Sequence, residues 1–197
     1  MNEYDSDRMA DLLGESHGYE MTEDENEADV ILLNTCSIRD LAERKVLGKL
    51  GQLGRTKQRD AVIGVTGCMA NAKKESILRK LPHVDFVLGT NNIHELDIVL
   101  DEILTTGTRE VRTAPQFEYE IDYLAAHRDD PVKAYVSIIR GCDKFCTYCV
   151  VPTTRGPEQS RPPSQILSEV KVLEEQGVKE VCMLGQTVNS SKHTEDG

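Results

Sequence analysis

The amino-acid sequence predicts an α/β protein, with an N-terminal parallel-sheet domain followed by the first β-α-β part of a barrel-like domain. Short apolar runs alternate with segments of helical periodicity up to about residue 106, and the same alternation starts again at Val132. The 197 residues, 39% hydrophobic and 29% charged, suffice for folded cores. We expect an N-terminal domain over 1–106, a linker over 107–131 and a C-terminal domain over 132–197.

The N-terminal domain is expected to begin with a helix from Tyr4 to about Gly14. Three apolar runs then predict buried strands, at Asp29–Leu33, Ala61–Val65 and Val84–Leu88. Helical patterns follow these strands, from Ile38 to Leu50 with Gly51 just beyond, over about Ala72–Lys80, and from Ile93 to Ile103. Strands that alternate with helices form parallel sheets, so the C-terminal ends of the strands share one edge.

Two cysteines lie at this predicted edge, because Cys36 and Cys68 each come just after a strand. Open parallel sheets bind ligands at that edge, so the two thiols are candidates for one joint site. The alternative is a pair of buried structural thiols, since free cysteine is often buried.

Both ends of the sequence predict that it is incomplete. A sheet of this type normally begins with a strand, whereas this sequence begins with a helix, so we expect that the first strand is missing and a ligand with it. A full barrel takes roughly 200 residues or more, and the segment after Val132 is far shorter.

The segment from Thr106 to Pro131 is rich in Thr, Arg and acidic residues and lacks periodicity, which predicts a linker. The C-terminal pattern then predicts a strand over Val132–Ile139 and a helix capped by Ser164. The expected apolar face of this helix consists of Ile166, Leu167, Val170 and Leu173, Gly177 ends the helix, and Val178–Leu184 is the next strand. The dipeptide Gly185-Gln186 follows that strand.

Three cysteines, Cys142, Cys146 and Cys149, lie in one short loop after the first C-terminal strand. Three thiolates can hold three irons of a four-iron cluster and leave the fourth iron open. A zinc site is the alternative, but it needs a fourth ligand, for which only His127 and Cys182 are candidates. A disulfide framework is disfavoured, because pairing within the triplet would leave an odd thiol.

The net charge of −11 by itself argues against a nucleic-acid partner, although the acidic residues are unevenly distributed. Arg155 and Arg161 near the triplet either face RNA phosphate or serve surface solubility. Neither a membrane-spanning run of ~18 apolar residues nor a secretion signal is present in the sequence, which predicts a cytoplasmic location.

The triplet resembles the motif of the radical S-adenosylmethionine (SAM) superfamily, C-x3-C-x-aromatic-C, with Tyr148 at the aromatic position. This resemblance implies that Cys142, Cys146 and Cys149 hold a [4Fe–4S] cluster whose open iron binds SAM. It also implies that Tyr148, Gly185 and Gln186 contact SAM, while an ordinary turn at Gly185-Gln186 is the alternative.

A narrower resemblance, to the methylthiotransferase family of radical SAM enzymes, covers nearly the whole chain. The segments that carry it are Met1-Asn-Glu-Tyr-Asp-Ser6, Ala28-Asp-Val, Asn34-Thr-Cys-Ser-Ile-Arg39, Gly67-Cys68, Gly141-Cys-Asp-Lys-Phe-Cys-Thr-Tyr-Cys-Val-Val-Pro152, Thr154-Arg-Gly156 and Ser160-Arg-Pro162. It implies a Rossmann/flavodoxin-like N-terminal domain before a radical SAM (TIM-like) barrel. Thr153 departs from the pattern, since an aromatic residue is usual there.

The family resemblance implies two [4Fe–4S] clusters, with Cys36 and Cys68 holding two corners of the auxiliary one. The third cysteine of that cluster usually lies in a Gly-Cys-Gln run just before Met-Asn, which this sequence lacks. The pattern is closest to members that add a methylthio group to C2 of N6-dimethylallyladenosine, next to the anticodon of tRNA. The implied partners are tRNA and an external one-electron reductant, with a monomeric chain and no membrane.

Two other functions stay open at this point. Relatives in the family act on threonylcarbamoyladenosine in tRNA or on a ribosomal protein. A simple iron–sulfur electron carrier is the alternative from another class, although it would ligate every iron, whereas this triplet leaves one open. Because both ends are expected to be incomplete, we do not expect the chain to be active alone.

Overall fold

The computed structural model describes residues 1–37, 40–56, 61–113 and 130–192. It divides into two compact units. One contains residue 2 and residues 12–113, and the other contains residue 1, residues 3–11 and residues 130–192. Helix α1, Asn2–His17, confirms the first predicted helix, and its residues 3–11 group with the C-terminal part of the chain.

The first unit contains a parallel sheet of four strands, which confirms the predicted α/β class. The strands lie side by side in chain order, as β1 Val30–Thr35, β2 Val62–Gly67, β3 Phe86–Leu88 and β4 Glu110–Arg112. The first three match the predicted strands. Strand β4 falls within the segment expected to be a linker, and its three residues are too few to show a periodic pattern. Residues 114–129 of that segment lie outside the described residues.

The helices of this unit are α2 Asp40–Thr56, α3 Cys68–Lys73, α4 Glu75–Lys80 and α5 Leu96–Thr106. Helix α2 continues past Gly51, where it was predicted to end, because Leu53 extends its buried face by another turn. The single helix predicted over Ala72–Lys80 is two helices, since the backbone at Lys74 turns to a positive φ of 45°. Ile93 begins a short 3₁₀ turn before α5 rather than the α-helix itself.

The core of this unit lies between the sheet and the helices α2 to α4. Leu50, Leu53, Ile63, Val65 and Met69 are among its fully buried members. Each such side chain contributes about 1.5–3 kcal/mol when it is removed from water. In β2, Gly64 leaves room for the ring of Phe86, with which a Cβ at Gly64 would clash.

The second unit contains the predicted β-α-β arrangement. Its elements are β5 Lys133–Ser137, β6 Ile139–Arg140, α6 Val151–Arg155, β7 Gln159–Ser160, α7 Pro163–Glu175 and β8 Glu180–Leu184. Strands β5 and β8 are parallel, with α7 between them in sequence, and β6 pairs antiparallel with β7. The strand predicted over Val132–Ile139 is therefore interrupted at Ile138.

Helix α7 begins two residues earlier than predicted, and Ser164 lies within it rather than capping it. Pro163 is the first helical residue and Pro162 precedes it, with no side-chain cap. The fixed φ of proline favours this start. Ile166, Val170 and Leu173 pack on the core as expected, but Leu167 is 59% exposed.

Within the described ranges, the helices are too short or too polar to cross a bilayer.

Candidate cysteine sites

Cys36 and Cys68 lie side by side at the C-terminal edge of the parallel sheet, as the sequence predicted. The parallel register pairs Thr35 with Gly67, the last residues of β1 and β2. Cys36 and Cys68 each follow directly after these residues. Cys68 is the first residue of α3 and only 4% exposed, whereas Cys36 is half-buried.

Gly67 makes this close approach possible. Its φ of 88° and ψ of −163° lie in a region that essentially only glycine adopts. A Cβ at this position would clash with the carbonyl of Thr35. The glycine thus turns the chain from β2 into α3 while keeping Cys68 against the end of β1.

Asn2, the first residue of α1, lies at the same edge. The side-chain amide of Asn34, next to the end of β1, donates a hydrogen bond to the carbonyl of Asn2 at 2.7 Å. In the segments that follow the neighbouring strands β2 and β3, Asn71 Nδ2 donates to the hydroxyl of Thr90 at 2.9 Å. The edge therefore brings together two thiols, polar side chains and the backbone carbonyl of Asn2.

The loop of the second unit that carries the cysteine triplet is closed at its base. The amide of Cys142 donates to the carbonyl of Gly156 at 3.2 Å, and Gly141 has a φ of 70°. A Cβ on Gly141 would clash with the carbonyl of Pro157. We call residues 141–156 the cysteine loop.

The three thiols of the cysteine loop have different environments. Cys142 is 8% exposed, and its sulfur lies 3.5 Å from the amide nitrogen of Lys144. Cys146 is exposed, Cys149 is half-buried, and the amide of Cys149 donates to the carbonyl of Cys146 at 3.0 Å. The six cysteines all lie within the described ranges, and none of them forms a disulfide.

The loop after β8 touches the cysteine loop. The sulfur of Cys142 lies 3.5 Å from the hydroxyl oxygen of Thr187. Gly185 lies against β6, where a Cβ would clash with the side chain of Ile139. The structure thus brings Gly185 and Gln186 next to the cysteine loop, whereas Tyr148 is 94% exposed.

The donor set of the cysteine loop fits an iron–sulfur cluster in its chemistry. Thiolates are the usual ligands of such clusters, and each binds a different iron. Within the described ranges, no three His, Cys, Asp or Glu side chains are placed around a single metal ion. Cys182, a candidate fourth zinc ligand, is half-buried within β8, and His127 lies outside the described residues.

Gln186 fits the SAM assignment through one atom. Its Oε1 is buried and has no hydrogen-bond partner among the described residues. A buried acceptor of this kind costs free energy unless a donor reaches it. An ammonium group of a bound ligand is a donor that would satisfy it.

Arg155 and Arg161 are both buried, which corrects both expectations for them. Arg155 Nη2 lies 3.0 Å from Asp5 Oδ2, and Arg161 forms an ion pair with Glu169. Arg161 also donates to the carbonyl of Ser137 at 3.3 Å. Neither guanidinium is therefore a surface charge available to RNA phosphate.

Asp5, on α1, also forms an ion pair with a second buried arginine. Arg140 Nη2 lies 3.5 Å from Asp5 Oδ1. Burial lowers the pKa of Arg140 to about 10, while the Asp5 carboxylate opposes this change. Arg140 therefore keeps its charge at neutral pH. Burial also raises the pKa of Glu169, and the adjacent Arg161 counteracts part of this effect.

Sequence reasoning assigned no role to Asp5, Arg140 or Thr187. Each was visible only as a neighbour of a motif: Asp5 in the Met1–Ser6 segment, Arg140 before Gly141-Cys142, and Thr187 after Gly185-Gln186. Their partners are far away in sequence, so no local pattern could have identified them.

Two family descriptions match different parts of the chain. Residues 1–89 match "Uncharacterized protein family UPF0004", and residues 136–196 match "Radical SAM superfamily". The second match includes the cysteine loop and Gly185-Gln186. It agrees with the expected cofactors, SAM and iron–sulfur clusters.

Curated relatives match almost the entire chain. A protein of Protochlamydia amoebophila is 65% identical over 190 residues, 96% of this chain. Proteins of Chromohalobacter salexigens and Stutzerimonas stutzeri are each 50% identical, over 96% and 98% of this chain. All three are named tRNA-2-methylthio-N(6)-dimethylallyladenosine synthase. The chain spans only 42%, 43% and 45% of the lengths of these relatives. The matches confirm the resemblance stated from the motifs.

Proposed function

We propose that the chain belongs to the methylthiotransferase family of radical SAM enzymes, and that it binds SAM and iron–sulfur clusters for the methylthiolation of tRNA. The proposed reaction adds a methylthio group to C2 of N6-dimethylallyladenosine, next to the anticodon. The names of the relatives at 65% and 50% identity support this substrate over threonylcarbamoyladenosine or a ribosomal protein.

The observation that carries this proposal is the contact between Cys142 and Thr187. It brings the loop with three thiolates against the loop that contains Gln186. A cluster ligand set and a buried, unsatisfied acceptor for an ammonium group therefore adjoin each other. A site that binds SAM at an open iron requires this combination.

The residues have separate roles in the proposed site. Cys142, Cys146 and Cys149 would hold three irons as thiolates and leave the fourth iron to SAM, and Gln186 Oε1 would accept a hydrogen bond from the ammonium group of SAM. Gly185 allows the loop after β8 to approach β6. Tyr148, which is exposed, contacts the bound ligand in this proposal. When bound, the cluster and SAM supply the one-electron chemistry.

Cys36 and Cys68 hold two corners of an auxiliary cluster in this proposal. Their adjacent positions at the sheet edge support a joint site over two separate structural thiols. Because Cys68 is buried, water would be excluded from one side of this auxiliary site. Further proposed features are an external one-electron reductant, a monomeric chain and a cytoplasmic location.

A chimeric enzyme tests the proposal. Residues 1–192 would replace the matching segment of the Protochlamydia relative in a host that lacks its own such enzyme. Mass spectrometry of hydrolysed tRNA should then show 2-methylthio-N6-dimethylallyladenosine, and Cys146→Ala should abolish it. A methylthiolated threonylcarbamoyladenosine instead would assign the other substrate. Modification that persists in the Cys146→Ala chimera would refute the role of the triplet.

A further inference from the structure

We infer that Asp5 is a positioning residue for the cysteine loop, because its carboxylate holds together two arginines, one just before the loop and one at its end. The inference builds on the proposed function in one respect, namely that the loop holds a cluster. Its geometric part, that Asp5 closes the loop, is independent of any cluster.

The two arginines lie at opposite ends of the cysteine loop. Arg140 is the last residue of β6 and directly precedes Gly141-Cys142, while Arg155 is the last residue of α6. Asp5 Oδ1 accepts from Arg140 at 3.5 Å, and Asp5 Oδ2 accepts from Arg155 at 3.0 Å. One carboxylate thus links the entry and the exit of the loop.

Backbone contacts bring the same two ends together. The Cys142 amide bonds to the carbonyl of Gly156, the residue after Arg155, at 3.2 Å. Arg140 also pairs with Gln159 in the β6–β7 ladder. The carboxylate of Asp5 therefore reinforces, from a remote part of the sequence, a closure that the backbone alone makes with few bonds.

Burial makes the carboxylate important. Asp5 is 1% exposed, and both guanidinium groups are buried beside it. Charges in such an environment interact strongly because water does not screen them. Without the negative charge of Asp5, Arg140 and Arg155 would repel each other across the base of the loop. The expected result is separation of its two ends, which would displace Cys142.

The test compares Asp5→Asn with Glu3→Gln in the 197-residue chain. Both changes remove one carboxylate from α1, but Glu3 is exposed to solvent. Asp5→Glu keeps the charge, and it provides a milder displacement if Asp5→Asn fails to fold. The first measurement is amide hydrogen exchange of the chain without metal. It compares the Cys142 amide with the Val178 amide, which bonds to the Leu173 carbonyl in the same unit at 3.0 Å.

In Asp5→Asn, exchange of the Cys142 amide should become about tenfold faster while that of Val178 stays unchanged, and in Asp5→Glu it should lie between. After reconstitution with iron and sulfide, iron should leave Asp5→Asn about tenfold faster, within the range known when a residue that positions a metal ligand is lost. Glu3→Gln should match the wild type in both measurements.

Two results would overturn the inference. One is unchanged exchange at Cys142 in both Asp5 variants, and the other is equal acceleration at Cys142 and Val178, which would indicate general destabilisation. If the wild-type chain binds no iron at all, the proposed function fails, while hydrogen exchange still decides whether Asp5 closes the loop.

Discussion

The thiol of Cys142 and the hydroxyl of Thr187 lie 3.5 Å apart, although the two residues belong to loops that follow different strands. Once Cys142 is a thiolate, the hydroxyl is the donor of this hydrogen bond. Hydrogen bonds to cluster sulfurs favour the reduced, more negative state and raise the reduction potential.

We therefore expect Thr187→Val to lower the reduction potential of the reconstituted cluster, by an amount on the order of tens of millivolts. Thr187→Ser keeps the hydroxyl and should leave the potential near that of the wild type. Redox titration followed by electron paramagnetic resonance measures it. Equal potentials for the valine and serine variants would show that the contact does not reach the cluster.

The hydrogen bond from Asn34 to the Asn2 carbonyl, at 2.7 Å, predicts where a third auxiliary ligand would have to enter. Residues placed before Met1 would be close in sequence to Asn2, whose carbonyl accepts this bond from the residue two positions before Cys36. Fusing Gly-Cys-Gln in front of Met1 should therefore raise the iron content after reconstitution. Fusing Gly-Ser-Gln is the matched control and should not. The same iron content in both fusions would count against an auxiliary cluster at this edge.

Gly67→Ala should destabilise the first unit. An alanine at this position would have to adopt a backbone conformation that costs about 1–3 kcal/mol. Its Cβ would also clash with the Thr35 carbonyl. Gly107→Ala is the control, since Gly107 also has a positive φ, 68°, but no atom within 4 Å of an added Cβ. Urea unfolding should show a larger loss of unfolding free energy for Gly67→Ala. Equal losses would mean that the close approach of Thr35 is unimportant.

Because of Tyr4, the free energy of unfolding of the chain should fall as the pH rises through the alkaline range. Burial raises the pKa of Tyr4 to about 12, an effect to which Glu169 adds and which nearby arginines oppose. Below pH 10 the phenol is protonated in both the folded and the unfolded chain. As the pH rises from 10 to about 12, only the unfolded chain releases this proton, so the free energy of unfolding falls.

The size of this fall should be roughly 2–3 kcal/mol, because each pKa unit corresponds to about 1.36 kcal/mol. Tyr4→Phe keeps the buried ring and removes the ionisable group. The difference in unfolding free energy between the two proteins should therefore change over this pH interval. A constant difference would show that Tyr4 is not buried in the folded chain.

The apolar runs in the sequence were sufficient to predict the strands β1 to β3, because buried parallel strands are continuous apolar runs. They were also sufficient to predict that Cys36 and Cys68 follow the ends of two such strands. It was not sufficient for β4, whose three residues acquire their strand conformation from pairing with β3. The continuation of α2 through Gly51 likewise depends on the burial of Leu53, a tertiary contact.

In the candidate site, too, local features were predictable and tertiary contacts were not. Spacing alone indicated the cysteine triplet as a candidate cluster site, since its three thiols are close in sequence. The environments of Arg155 and Arg161 could not be deduced in this way, because a surface arginine and a buried one have the same sequence signature. Their partners, Asp5 and Glu169, become evident only when the chain is folded.

Iron analysis of the reconstituted chain, with Cys146→Ala compared against Cys182→Ala, decides whether the cysteine triplet holds the cluster. We expect Cys182→Ala to keep about four irons per chain, and SAM to change the electron paramagnetic resonance spectrum of its reduced cluster. Cys146→Ala should lose both the iron and the response to SAM. Wild-type iron content together with an unchanged SAM response in Cys146→Ala would contradict the assignment of Cys142, Cys146 and Cys149 as the cluster ligands.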